Sequence, residues 1–298
     1  MSGTRHVASI GVFDGVHRGQ RVLVAAARQE ADRLGLPLVV VTFDPHPLAV
    51  VSPNGPPSSL ASVERRVELL HSAGADDVVV LAFDSALQST EPEDFVRDVL
   101  VGRLDVAAVV VGEDFRFGRR ARGDVNLLTR VGTELGFDVV GVPLAGDAGT
   151  FWSSTLVRKL ISEGDVAAAA DMLGRPYELS GSVVHGDARG RTLGFPTANL
   201  GWTGNPTLPG DGVFAGYLLD GANRWPSAIS VGTNPQFHTN SKRIETYVID
   251  QTGLELYDKP IGLEFIDRVR GQMTFPDVDG LVTQMHKDVD AIRTLLSV

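Results

Sequence analysis

Along the first half of the chain, short unbroken apolar runs alternate with longer segments whose apolar residues recur every three or four positions. The runs are "HVASIGVF", "LPLVVVTF", "DDVVVLAF", "VAAVVVG" and "FDVVGVP". They are rich in valine and lack polar alternation, the pattern of parallel strands buried on both faces. Between them lie "QRVLVAAARQEADRLG", "SVERRVELLHSAG", "EPEDFVRDVLVGRL" and "DVNLLTRVGTELG", each with helical spacing. Regular strand–helix alternation predicts an α/β domain with a doubly wound parallel sheet. Ligands of such folds sit at the carboxyl ends of the strands.

Residues 153–177 give two short helices, and the pattern then changes. Strand-like runs separated by Gly, Pro and Asn follow: "ELSGSVVHG", "GVFAGYLLD", "WPSAISVG", "RIETYVID" and "KPIGLEFIDRVR". Helical spacing returns only in "PDVDGLVTQMHKDVDAIRTLL". This predicts a small antiparallel β-barrel with a terminal helix. The boundary is expected near residue 178, giving domains 1–178 and 179–298.

Composition narrows the chemistry. The chain has no cysteine, which excludes disulfides, thiolate metal sites and thiol nucleophiles. The net charge of −10 argues against a nucleic-acid partner. No apolar run reaches the roughly 18 residues of a membrane span. The start "MSGTRHVASI" lacks the pattern of a signal peptide, so a cytoplasmic location and no membrane partner are expected. Oligomeric state is not legible.

The first strand runs into "FDGVHRGQ", neither a Gly-x-Gly-x-x-Gly nor a Gly-Lys-Ser/Thr loop. Gly15 and Gly19 allow close backbone approach to a phosphate, and the following helix start adds unpaired N–H donors. His17 is then either a phosphate donor or a histidine capping a turn. Two more loops fall at the same sheet edge. "TFDPHP" holds His46 between prolines. "VVGEDFRFGRRARGD" carries Asp114, Arg116 and a basic cluster. In "SSTLVR", Ser153 and Ser154 are N-cap candidates, and Arg158 lies one turn on, where it could reach a phosphate.

With these pieces the chain resembles the bacterial bifunctional riboflavin kinase/FMN adenylyltransferases. The matching stretches are "GVFDGVHRG", "TFDPHP", "VVGEDFRFG" and "SSTLVR", then "GRPYELSGSVVHGDARGRTLGFPTANL", "DGVFAGY", "SVGTNPQF" and "ETYVID". The string "GRTLGFPTANL" is the most specific. The resemblance implies two reactions. The barrel would phosphorylate riboflavin with ATP and Mg²⁺ to give FMN. The first domain, nucleotidyltransferase-like, would transfer AMP from ATP to FMN, giving FAD and pyrophosphate.

For the kinase half, Gly181, Gly186, Gly190 and Gly194 permit a close wrap around the triphosphate. Thr197 and Asn199 offer neutral oxygens to Mg²⁺, with Pro196 stiffening the turn they are expected to form. Glu245 matches the family's base, against the alternative of pairing with Lys242 or Arg243. Arg189 and Arg191 are either solvated or phosphate contacts, with Arg191 counted among the latter. Phe195, Phe214 and Tyr217 either flank the flavin ring or fill the core, and Phe195 is the one assigned to flavin. For the adenylyltransferase half, His17 and Arg158 are expected to be catalytic, Gly15, Gly19, Gln20 and Ser154 to bind ATP, and His46, Asp114 and Arg116 to bind the flavin.

One residue departs from the family. Its loop reads His-x-Gly-His, and here the second histidine is Gln20. A glutamine amide donates but carries no charge. A neutral hydrogen bond contributes about 1 kcal/mol net, against about 1.5–3 for a charged one. The difference predicts a step slowed roughly 5- to 150-fold rather than abolished. Two alternatives stand beside that reading: a kinase whose first domain is inactive or takes another substrate, and a flavin-binding protein inactive in both halves.

Overall fold

The computed structural model describes residues 5–147, 149–186, 190, 193–233 and 242–298. Contacts divide the chain into two compact units, Met1–Ser154 and Thr155–Val298. The division falls ahead of residue 178.

The first unit is built on five parallel strands: β1 (His6–Ile10), β2 (Leu38–Asp44), β3 (Asp77–Ala82), β4 (Val106–Gly112) and β5 (Asp138–Val142). Their order is β3-β2-β1-β4-β5. Helices α1 (Arg18–Leu34), α2 (Leu48–Val51), α3 (Val63–Ser72), α4 (Ser85–Ser89), α5 (Pro92–Phe95) and α6 (Val125–Leu135) lie between and after them. Strand residues alternate between two cores. Ala8, Ile10, Val39, Val41, Val109 and Val111 enter one. Val7, Leu38, Val40, Ala108 and Val110 enter the other. Both faces are therefore dry, which is why these strands read as unbroken apolar runs.

Local signals set the helix ends. Gly35 closes α1 and Gly136 closes α6 in the left-handed conformation, the usual end for a helix that must turn sharply. The helix expected over 91–104 is only partly α-helical. Beyond α5 it passes into a π-type segment, Val96–Val101, where the Gly102 N–H donates to the Arg97 carbonyl at 2.8 Å. A short hairpin, β6 (Gly146–Asp147) with β7 (Thr150–Phe151), ends the unit.

Strand order reverses between β1 and β4, so their carboxyl ends open the crevice in which ligands of such sheets bind. The loop after β1 holds residues 11–17 and the loop after β4 holds 113–118.

Helix α7 (Ser154–Glu163) starts on the last residue of the first unit, and the rest of it, with α8 (Val166–Leu173), opens the second. Val166, Ala169, Met172 and Leu173 of α8 are buried, and the helix lies against the barrel strands. The barrel is closed, in the order β10-β11-β12-β9-β8-β13. Its strands are β8 (Tyr177–Val184), β9 (Thr197–Gly201), β10 (Gly212–Asp220), β11 (Asn223–Thr233), β12 (Lys242–Val248) and β13 (Pro260–Arg270). Helix α9 (Val278–Leu296) packs Val289, Ile292 and Leu296 against Phe195, Val213, Ala215 and Tyr247.

The segment expected as a turn at Thr197 is instead a strand. β9 is paired on both sides, with β8 and with β12, so its backbone groups are used by the barrel. A short run with Pro before it and Gly after it reads locally as a turn; closure of the barrel overrides that.

Candidate active site

The loop after β1 has unusual backbone. Phe13, Gly15 and Val16 all take positive φ, at 51°, 84° and 43°. For Gly15 this is free, but for a β-branched valine it is strained. Such strain persists only where surroundings hold it, and it gathers at ligand sites. Side-chain bonds hold this loop. The Asp14 carboxylate accepts from the Leu60 N–H at 2.9 Å, the Ser154 hydroxyl donates to the Asp14 carbonyl at 2.8 Å, and Thr42 Oγ1 donates to the Val12 carbonyl at 2.8 Å. Ser154 thus meets the loop itself, through its backbone.

His17 is the N-cap of α1 and is 6% exposed. Its ring Nδ1 accepts from the Gln20 N–H at 3.4 Å, and its own N–H donates to Gln20 Oε1 at 3.1 Å. This is a capping box with histidine in place of the usual serine or threonine. It resolves the choice left by the sequence only in part, since His17 does cap. With Nδ1 as acceptor, the proton of the neutral ring sits on Nε2. Gly19 lies under the ring; a Cβ there would stand 3.2 Å from His17 Cε1.

His46 is half-buried beyond the end of β2. Its Nδ1 accepts from the Leu48 N–H at 3.1 Å, starting α2. Asp114 and Arg116 are exposed in the loop after β4, and Arg116 donates to the Phe115 carbonyl at 2.9 Å. The basic cluster beyond them is partly spoken for: Arg119 and Arg122 both pair with Glu91, which holds the Glu91 carboxyl below its ordinary range.

Sequence reasoning missed Arg66. It lies on α3, 4% exposed, and donates to the Val12 carbonyl at 3.3 Å, Thr42 Oγ1 at 3.1 Å and the Phe43 carbonyl at 2.9 Å. The signal was present. Arg66 stands four residues before Leu70, and these two are the buried residues of α3.

In the second unit, β9 and β12 bring the kinase candidates together. Asn199 is the register partner of Glu245, and Thr197 that of Tyr247. Directly opposed residues share a face, with Cβ atoms about 4.5–5.5 Å apart. Thr197, Asn199, Glu245 and Tyr247 therefore line one face, while Ile244, Thr246 and Val248 point the other way and are buried. Lys242, a possible partner for Glu245, instead donates to the Pro209 carbonyl at 2.6 Å and lies 3.4 Å from Asp211. A Cβ on Gly186 would collide with the Asn199 amide, and one on Gly190 with the Phe195 carbonyl. Gly194 has φ 84°. Among these glycines, Gly181 faces strand β9 at Gly201 and serves barrel packing. Arg189 and Arg191, and the end of "SVGTNPQF", lie outside the described residues.

A hydroxyl, an amide oxygen and a carboxylate on one face form a hard oxygen set, the kind that suits Mg²⁺ completed by water. The aromatic candidates sit deeper. Phe195 is 5% exposed, edge-on to Tyr247 at 5.1 Å and His286 at 5.0 Å. Phe214 is fully buried against Phe265, and Tyr217 lies under the Arg224 guanidinium at 3.3 Å.

Comparison with known proteins covers both units. A family model described as FAD synthetase matches residues 2–156, and one described as riboflavin kinase matches residues 173–296. The bifunctional riboflavin kinase/FMN adenylyltransferase of Escherichia coli (strain K12) is 35% identical over 283 residues, 95% of this chain and 90% of that protein. The protein of the same name from Pseudomonas fluorescens is 35% identical over 290 residues, 97% and 92% of the two chains. A crystal structure from Streptococcus pneumoniae, described as a macrolide-efflux protein, has a TM-score of 0.90 at 30% identity, covering 98% of this chain and 95% of that one. That description sits apart from the others, and no helix among the described residues is long and apolar enough to cross a membrane.

Proposed function

Because the chain belongs to the bifunctional riboflavin kinase/FMN adenylyltransferase family, we propose that it performs both reactions, phosphorylating riboflavin in the barrel and adenylylating FMN in the first unit. The substrates are riboflavin, FMN and ATP, handled in the cytoplasm.

The observation that carries the kinase reading is Asn199 opposite Glu245 with Thr197 on the same face. Glu245 takes the proton of the ribityl 5′-hydroxyl as its oxygen bonds to the γ-phosphorus of ATP; the bond to the bridging oxygen breaks and ADP leaves. Thr197 and Asn199 would hold Mg²⁺, which supplies charge compensation on the phosphates. Gly186 and Gly190 let the chain pack closely against Asn199 and Phe195, which supports the placing of the strand that carries Thr197 and Asn199.

In the first unit, a phosphate oxygen of FMN attacks the α-phosphorus of ATP, and pyrophosphate leaves. His17 donates from Nε2 toward charge growing on the phosphates. The capping bond supports a donor role for Gln20 as well: with Oε1 on the His17 N–H, both Nε2 protons are left for another acceptor. Gly15 and Gly19 let the backbone approach, and Ser154 steadies the loop; Arg158, on α7, is assigned to the same reaction. His46, Asp114 and Arg116 are assigned to the flavin side.

The test is a time course with riboflavin, ATP and Mg²⁺, products separated by chromatography. FMN should form first and FAD later. Glu245→Gln should abolish FMN formation and leave conversion of supplied FMN to FAD; phosphorylation surviving in that variant would remove Glu245 as base. FMN that accumulates without FAD would leave only the kinase.

A further inference from the structure

Arg66 is a buried cation that the chemistry above does not use. Among the described residues its hydrogen bonds go to oxygens of neutral groups: the Val12 carbonyl in the loop after β1, and the Phe43 carbonyl and Thr42 hydroxyl near the end of β2. Its Nε is buried without a hydrogen-bond partner. The nearby acids Asp14 and Asp44 act on it only through space, and burial is the largest influence on its pKa, pulling it down. Arginine stays charged even so. A buried charge without an ion-pair partner is costly, and such a residue is retained where it does something a neutral side chain cannot.

Its three bonds say what that is. The Val12 carbonyl opens the strained loop that ends at His17. Thr42 and Phe43 end β2 and lead into His46. Thr42 also donates to Val12, so Arg66 and Thr42 form one knot at which two ligand loops leave adjacent strands. All three bonds come from one terminal nitrogen, Nη1, which sits where acceptors from the two loops converge.

We propose that Arg66 is a positioning residue for adenylyl transfer, fixing the loop that carries His17 relative to the loop that carries His46. The inference rests on the adenylyltransferase reading given above. Small misplacement of reacting groups costs rate rather than affinity, about 100-fold for about 1 Å. The expected signature is therefore a loss in kcat with KM for ATP and FMN little changed.

The experiment compares wild type, Arg66→Met, Arg66→Lys and Thr42→Val as full chains, well below the melting temperature of each. Riboflavin phosphorylation in the same chain is the internal control. Arg66→Met should lower kcat for FAD formation about 10- to 100-fold, with riboflavin phosphorylation within about twofold of wild type. Arg66→Lys, which keeps the charge on a shorter side chain that places its nitrogen less well among the three acceptors, and Thr42→Val should each fall between. Should Arg66→Met fail to fold, the lysine and valine variants carry the same test. FAD formation within about twofold of wild type in every folded variant overturns the inference alone. A loss that lies wholly in KM also overturns it, since that is lost binding and not lost alignment. A wild-type chain that makes no FAD overturns the adenylyltransferase reading, and the inference with it.

Discussion

Gln20 and His17 are bonded to each other twice. The Gln20 N–H donates to His17 Nδ1, and the His17 N–H donates to Gln20 Oε1. Gln20, which stands where the resemblance implies a second histidine, is therefore built into the start of α1. A glutamine at the third helical position is what a capping box calls for, and the N-cap here is the histidine proposed above to face the phosphates. The substitution exchanges a charge for a fixed orientation of His17.

This changes what repair of the motif should do. Gln20→His restores a group able to carry charge, but it removes the bond to the His17 N–H, worth about 0.5–2 kcal/mol at an N-cap. The two effects oppose, so FAD formation should rise by less than about tenfold. Gln20→Glu separates the roles. It keeps the acceptor for His17 and so the melting temperature, but it loses the donor and sets a negative charge toward the phosphates. FAD formation should fall at least about tenfold in steady-state assays. An unchanged rate would mean that Gln20 acts through the cap alone.

Gly186 has room for no side chain because Asn199 lies against it. Gly186→Ala should push the Asn199 amide away from Glu245 and lower riboflavin phosphorylation by at least about tenfold. Conversion of supplied FMN to FAD should hold. Assaying the two reactions separately in one preparation checks this, and equal losses in both would point to general misfolding.

Much of this was legible because the central strands β1, β2 and β4 are buried on both faces, so their sequences carry no competing pattern. The loops that bear His17, His46 and Asp114 were also visible, as polar punctuation after apolar runs. What was not legible depended on partners distant in sequence. Thr197 and Asn199 looked like a turn because nothing near them announces β12, some fifty residues on. Arg66 did not stand out because helical spacing alone does not say which polar residue on the inward stripe will find acceptors. The partner of Gln20 was only three residues away; the capping pattern was overlooked because histidine is not an ordinary N-cap.

Acid stability should depend on Asp76. Its carboxylate accepts from the Leu38 N–H at 2.7 Å and from Arg28 at 2.6 Å, and these bonds hold its pKa below the ordinary carboxylate range, the backbone bond most. A depressed carboxylate stabilises the fold above its unfolded pKa, about 3.9, and the effect is lost as pH falls through the folded value. Asp76→Asn should therefore lower stability at neutral pH and flatten its decline below about pH 4. Thermal melts from pH 7 to pH 3 give the comparison. A wild-type slope retained in the variant would place the acid sensitivity elsewhere.

The terminal helix should matter to the kinase more than its distance in sequence suggests. Arg270, at the end of β13, grips Asp288 of α9 with Nε at 2.9 Å and Nη2 at 2.6 Å, and Asp288 is 5% exposed. Gln284 adds a bond to the same carboxylate at 2.8 Å. Removing one partner of a buried pair strands the other charge and costs about 3–5 kcal/mol. Asp288→Ala should cost that much in urea denaturation of the second unit. The helix covers Phe195 and Tyr247, and Tyr247 is the register partner of Thr197. Loosening α9 should therefore disturb the Thr197–Asn199 strand before it disturbs the parallel sheet. On gradual heating, the variant should lose riboflavin phosphorylation at a lower temperature than it loses FAD formation from supplied FMN. Simultaneous loss of both would show that the helix supports more than the barrel on which it packs.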